Sequence, residues 1–413
     1  MSLGTSHTID ALIRKAVFDQ GDSQSNARQT LYSLAKSHHI ELSSTHFLYR
    51  AFAQRKLPLF SVPAINMRTL TYDFARRVFG LIKKYDIGIV IFEIAASEQE
   101  YSFQTPEEYT VSVIAAALVE EYEGPIFLQG DHYQARKNIF STDKQREIDR
   151  LKNLIRDSIK AGFYNIDIDA STLVNLELAS VDLQQKDNYE TTALLTRYIR
   201  EIEKGEKISI GGEIGHIGGV NSIIEDFYAF MKGYKKNVGD SEGISKIAVQ
   251  TGSSHGGTLQ ADGSLTNVAI DFNILKDIGR AAQEKYGLGG AVQHGASTLD
   301  KSNFDQFPLN HTVEVHLATD FQNIFFDHLD RDLKNAIYTW VDRHLSHEKK
   351  PELTQEQFMY KNRKKALGSF KKEIWSMPEQ YKQDILNSFE AEFKMICDKL
   401  NICNTRRSIS PYI

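Results

Sequence analysis

The chain has 413 residues, 41% of them hydrophobic and 25% charged, with a net charge of −5. That balance argues against nucleic acid or an anionic membrane as a bulk partner, and no apolar run reaches the roughly 18–20 residues of a membrane-spanning helix. "MSLGTSHTID" carries no signal-peptide core, and Cys397 and Cys403 are too few and too late to staple a fold, so a reducing, cytoplasmic setting is expected.

Segment 1–56 reads as helical, with turns at "QGDSQSN" and "ELSST". A regular alternation follows. Strand-like runs stand at "PLFSVPAIN" (58–66), "IGIVIFEIA" (87–95), "PIFLQGD" (125–131) and "YNIDIDA" (164–170). Four more stand at "KISIGGEIG" (207–215), "KIAVQTG" (246–252), "GGAVQHG" (289–295) and "TVEVHLAT" (312–319). Segments with helical spacing lie between them, such as "TYDFARRVFGLIKKY" (71–85). In "DKQREIDRLKNLIRDSIKAG" (143–162), Ile148, Leu151, Leu154, Ile155 and Ile159 recur at steps of three and four. Eight strand–helix units predict an α/β fold, a (β/α)8 TIM barrel over residues 57–330. A doubly wound open sheet competes. It needs a glycine-rich phosphate loop after its first strand, and "AINMRTL" is not one.

Residues 331–413 read as a charged helical extension. Thr354 with Gln357, and Ser376 with Glu379, have the spacing of capping boxes. Ile385, Phe389, Phe393, Ile396 and Leu400 form an apolar stripe that must cover the barrel or meet another subunit. The basic stretch "YKNRKKALGSFKK" (360–372) reads as a solvated helical face.

In a barrel the reactive residues gather where strands end at the C-terminal face. Asp131 and His132 stand after the third run, Asp167 and Asp169 at the fourth, Glu213 and then His216 at the fifth. His255 follows the sixth and His294 the seventh; the eighth holds His316, with Thr319 and Asp320 beyond it. A catalytic zinc takes three protein ligands and keeps one position open. His132, His255 and His294 are the candidate set, His216 is a spare, and His316 reads as core or substrate wall. "HGG" (255–257) and "HGAS" (294–297) leave backbone amides unobstructed beside Ser297 and Thr319, a pattern able to cradle a phosphate.

The succession "GDH", "IDAS", "GEIGHIGG", "TGSSHGG", "QHGAST" and "HLATD" resembles the class II, metal-dependent ketose-bisphosphate aldolases of the fructose- and tagatose-bisphosphate type, over roughly residues 58–325. The resemblance implies zinc ligands at His132, His255 and His294, and an acid–base residue at Asp131. It implies a second cation position, divalent or monovalent, at Asp169 and Glu213. A substrate phosphate falls on Gly256, Gly295, Ser297 and Thr319, and a substrate-facing serine on Ser97. The implied reaction is reversible cleavage of a phosphorylated ketose to dihydroxyacetone phosphate and an aldehyde. The terminal helices suggest a homo-oligomer, dimer or larger.

This chain departs from the family pattern in places. Gly218 and Gly219 are followed by "VNSIIED", so the expected acid arrives late, at Glu225 or Asp226. His316 and Ala318 occupy the positions of an asparagine and an aspartate, and Leu259 and Gln260 stand where a basic residue is usual. A non-catalytic, aldolase-like accessory subunit and a zinc hydrolase therefore stay open as readings.

Overall fold

The structure, a computed structural model, describes residues 3–215, 220–252 and 270–413. The described residues form nine strands: β1 (Ile40–Ser43), β2 (Val62–Asn66), β3 (Ile91–Ala95), β4 (Gly124–Gln134), β5 (Asn165–Asp169), β6 (Ser209–Glu213), β7 (Lys246–Val249), β8 (Ala291–Gln293) and β9 (Thr312–Leu317). All pair in parallel, and β2 to β9 close into an eight-stranded barrel through the β2–β9 and β4–β5 ladders. Each predicted run overlaps one barrel strand. The runs are legible because helices cover the outside while side chains fill the inside, which makes most of each strand apolar on both faces.

The helices lie where the spacing put them. Thr71–Tyr85 is one. Lys144–Lys160 is another, started by the Asp143 carboxylate, which accepts from the Arg146 amide at 3.0 Å. It turns Ile148, Leu151 and Ile155 inward.

β1 lies within the segment that reads as helical, where "ELSST" reads as a turn. Ile40 to Ser43 pair with Gly124 to Phe127, the lower part of β4. Four residues are too few for a period of two to stand out.

β4 is eleven residues long. Its upper part pairs with β5, from Gln129 opposite Asn165 to Gln134 opposite Asp169. Between Gly130 and Tyr133 the chain advances three residues while β5 advances two, from Ile166 to Ile168. That extra residue is a β-bulge. His132 within it has φ 43°, in the left-handed region.

In the C-terminal extension, the Thr354 box forms: the Thr354 hydroxyl accepts from the Gln357 amide at 3.2 Å, and Gln357 Oε1 accepts from the Thr354 amide at 2.9 Å. The Ser376 box does not. Ser376 closes the preceding helix, Lys371–Trp375, and the last helix, Glu379–Lys399, begins after Pro378. The residue before a proline is driven out of helical geometry, which moves the start forward. The apolar stripe packs on the barrel's own helices: the Phe389 ring lies 4.5 Å from that of Phe74 and 4.8 Å from that of Phe321. Among the described residues, no helix is long and apolar enough to cross a membrane.

Candidate active site

In a regular strand, consecutive residues point to opposite faces. Asp131 and His132 would then be split between the barrel interior and its helical coat. The bulge at the end of β4 removes that constraint, and both side chains line the same cavity at the barrel mouth.

His132 Nδ1 lies 3.1 Å from Asp169 Oδ2 and 3.3 Å from Glu213 Oε2. Its Nε2 lies 2.7 Å from Nδ1 of His294, at the end of β8. Two carboxylates on Nδ1 hold a proton there, which leaves Nε2, the nitrogen facing His294, as the one that would ligate a metal. His132, Glu213 and His294 each offer a ligand atom within 4.8 Å of the others, as do Asp131, His294 and His316. Burial works against charge on His132, but Asp131 and Glu213 outweigh it and set its pKa well above the ordinary imidazole value. Burial, then the Asp169 carboxylate, pushes Glu213 up to about 7. Positive charge is therefore favoured at this point, whether carried by a proton or by a metal that displaces it. The donor set fits zinc. Asp169 and Glu213 both turn toward His132 Nδ1 in this arrangement. His255 and Gly256, like His216, lie outside the described residues.

Asp131 Oδ1 is 3.8 Å from His132 Nε2, 4.0 Å from His294 Nδ1 and 3.4 Å from His316 Nδ1. His316 is set between two acids, with Nδ1 2.8 Å from Glu93 and Nε2 2.7 Å from Glu314. Below it, the Lys246 ammonium donates to Gln129 at 2.8 Å, to Asp167 at 3.0 Å and to Glu314 at 2.5 Å. The Tyr49 hydroxyl also donates to Glu314. Burial, then the nearby Asp131 carboxylate, raises Glu93 to about 7. Burial opposes charge on Glu314, but Lys246 and His316 overcome it and hold that carboxyl well below its usual range. Barrel interiors are normally stacked layers of branched apolar side chains. Here a charged layer lies directly beneath the mouth. Gly211 makes room for it, since a Cβ there would sit 2.2 Å from Asp167 Oδ1.

Glu93, Lys246 and Glu314 were missed by the sequence reading. A signal was present: each is a charged residue in an otherwise apolar run, "IFEIA", "KIAV" and "TVEVHL". His316, which reads as core or substrate wall, is buried, lines the cavity and faces Asp131.

The cavity measures about 750 Å³. Ser97, Gly295, Ser297 and Thr319 line it with Asp131, His132 and His294. Ser297 Oγ accepts from the Ala318 amide at 2.8 Å, joining the loops after β8 and β9. The late acids go elsewhere. Asp226 accepts from the Ile223 amide at 3.0 Å and caps its own helix, Ile224–Val238, and Glu225 is exposed. The opposite wall comes from the C-terminal extension, through Gln357, Tyr360, Lys361, Lys364 and Lys365. This corrects the reading of 360–372 as a solvated face: Arg363 is buried and Lys364 partly buried. The hydrophobic spacing there is short, and a basic run gives no sign of which side it shows to a cavity.

No curated protein sequence matches the chain. Similar solved structures include a putative fructose-1,6-bisphosphate aldolase from Coccidioides immitis, at 18% identity and TM-score 0.52, covering 88% of this chain and 99% of that one. A fructose-bisphosphate aldolase from Campylobacter jejuni matches at 19% identity and TM-score 0.53, covering 86% and 94%. A fructuronate-tagaturonate epimerase from Cohnella laeviribosi matches at 11% identity and TM-score 0.62, covering 91% and 86%. At these identities the likeness establishes the barrel fold. The family model of the class-II fructose-bisphosphate aldolases matches residues 48–388, wider than the motifs alone implied. With a closed barrel and most of its length matched, the chain belongs to the class-II fructose-bisphosphate aldolase family, a family of carbon–carbon lyases.

Proposed function

We propose that the chain is a zinc-dependent aldolase that reversibly cleaves a phosphorylated ketose, similar to fructose- or tagatose-1,6-bisphosphate, into dihydroxyacetone phosphate and an aldehyde. The observation that carries this reading is the bulge in β4, which brings Asp131 and His132 to one cavity beside His294. His132 and His294 would hold the ion, with His255 completing the set. A zinc ion there would polarise the ketose carbonyl and stabilise the negative charge that develops as the carbon–carbon bond breaks.

The chain's own residues do the rest. During cleavage Asp131 takes the proton of the hydroxyl on the aldehyde-side carbon and passes it to water, and the carbanion left on the ketose half takes a proton from water in the cavity to give dihydroxyacetone phosphate; condensation reverses both transfers. Its contact with His316, itself clamped between Glu93 and Glu314, keeps the carboxylate aimed at the mouth. Ser297, Gly295 and Thr319 hold the phosphate of the ketose half, far from the reacting carbons, and so orient the substrate. No lysine is needed for a Schiff base. Lys246, the one inward lysine among the described barrel strands, is engaged with Asp167 and Glu314.

The test measures bound zinc, then metal-dependent cleavage of a panel of ketose mono- and bisphosphates with the triose product trapped. Zinc with cleavage supports the proposal. Zinc without cleavage, and without proton exchange on dihydroxyacetone phosphate, would overturn it in favour of the accessory-subunit reading.

A further inference from the structure

The loops after β8 and β9 meet the cavity with small neutral residues, Gly295, Ser297 and Thr319. Behind them stands a charged cluster. Ser297 lies in the turn Ala296–Thr298, and a second turn, Lys301–Asn303, follows. The Asp300 carboxylate starts the second turn by accepting from the Ser302 amide at 2.9 Å. From the first position of that turn, Lys301 reaches back over Ser297. Its ammonium donates to the Ser297 carbonyl at 2.7 Å and to the Asp320 carboxylate, and lies 3.3 Å from Glu392 Oε1. The side chain is seated on Phe304, whose ring centre is 5.0 Å from Nζ. Asp320 belongs to the first turn of the helix Thr319–His328, and Glu392 to the last helix, Glu379–Lys399. One ammonium thus ties together three parts of the chain, and neither Lys301 nor Asp320 lines the cavity.

These contacts close a ring. Ser297 Oγ accepts from the Ala318 amide, Thr319 and Asp320 follow Ala318 in the chain, and Asp320 returns to the Ser297 carbonyl through Lys301. The two loops therefore cannot part without breaking a contact of Lys301 or of Ser297. Charge gives a second reason for the lysine. The N-terminus of a helix attracts an anion. Asp320 already places a carboxylate in the first turn here, next to Thr319, where it would repel a phosphate. Among the described residues, Lys301 is the one cation paired with Asp320 or with Glu392. Without it, two acids would stand behind the cradle with no counter-charge.

We propose that Lys301 is a positioning residue for phosphate binding, given the reading of Gly295, Ser297 and Thr319 as the cradle of an aldolase substrate. From behind the cradle it locks the loops after β8 and β9 together. It also cancels the charge of Asp320, so that the head of the helix Thr319–His328 stays receptive to an anion. Lysine suits the role, because a compact ammonium with three donors can serve a carbonyl and two carboxylates at once. The last helix becomes part of the cradle's support, since Glu392 holds the ammonium from the far side.

The experiment titrates inorganic phosphate into the zinc-loaded full chain by calorimetry, and measures KM and kcat for fructose 1,6-bisphosphate. It compares the wild type with Lys301→Met, Lys301→Arg and the double variant Lys301→Met/Asp320→Asn. Lys301→Met should raise the phosphate Kd and KM by about tenfold or more, the scale of a lost charge-assisted contact. Turnover, kcat, should stay within about twofold, since the reacting groups are untouched. Lys301→Arg keeps the charge and should retain most of the affinity. The double variant removes the acid along with its cover, and should recover Kd to within about threefold of the wild type. A lysine needed only for folding would give no such recovery. A double variant as weak as Lys301→Met, an unchanged Kd in Lys301→Met, or a wild type that binds no phosphate overturns the assignment. Phosphate bound by a wild type that cleaves no ketose is a failure of the aldolase reading alone, and the titration still decides the role of Lys301.

Discussion

On the barrel side of the cavity, Asp131, His132 and His294 leave the ends of strands whose backbones are laddered to their neighbours. On the extension side, Lys361 and Lys364 leave a short helix and a turn held by Arg363 and by the close seat of Gly368. The first wall is fixed by the whole closed sheet, the second by a few side chains. Bond-breaking chemistry needs the first kind of support, because misplacing a reacting atom by an ångström costs orders of magnitude in rate. The extension can therefore be altered while the strand-borne residues stay in place.

The sharpest way to break the comparison is on the barrel wall. Asp131→Asn should lower kcat by about 10²–10⁴-fold while zinc content, measured by atomic absorption, stays at the wild-type level. Retained turnover would remove Asp131 from the chemistry. Next comes the layer beneath. Lys246→Met leaves Glu314 and Asp167 buried without their cation and should destabilise the fold by about 3–5 kcal/mol in denaturant unfolding. A loss under about 1 kcal/mol would mean that the layer does not depend on that charge. The extension wall should respond more gently. Arg363→Ala removes the hydrogen bond to Asn323 and two ring contacts, a local loss of about 1–3 kcal/mol. It should raise KM for a phosphorylated ketose several-fold and leave kcat and zinc content near wild type. A fall in kcat as large as that of Asp131→Asn would erase the distinction between the walls.

The smallest effect is one of pH. Lys364 gives up its proton near pH 8, with Arg68, Lys361 and Lys365 opposing its charge and Glu98 favouring it. Lys364 lines the cavity, so KM for a phosphorylated ketose should rise as pH climbs through about 8, and the rise should be absent in Lys364→Arg. The stability sign runs the other way. In the unfolded chain this amine keeps its proton to roughly pH 10.4. Between these two values the unfolded state binds more protons, so this group's contribution to stability increases with pH across that window. A melting series over that range, comparing the wild type with Lys364→Met, checks it.

Much of the barrel was legible because buried parallel strands leave short apolar runs and their helices leave a 3.6-residue period. The placement of Asp131, His132 and His294 at the barrel mouth was legible because strand ends carried them in a recognisable order. The bulge was not, since nothing in "GDHY" distinguishes a turn from an extra residue in a ladder. Glu93 and Glu314 lie in mid-strand and Lys246 at the start of its strand, away from the strand ends where a barrel gathers its reactive residues, although a charge buried there is costly enough to signal a purpose. The position of Lys364 at the cavity depends on how the turn Arg363–Ala366 folds back, and no local pattern encodes that.

The strand β1 has a consequence for shortening the chain. Gly124, Pro125 and Ile126 extend below the neighbouring barrel strands, and β1 supplies the ladder alongside them. A protein trimmed to start at β2 would leave that stretch of β4 with a free edge, open to pairing with any other chain that offers a strand. The N-terminal segment thus completes the backbone pairing of β4 and moves the open edge outward to a strand of only four residues, the short kind of edge that offers little to another chain.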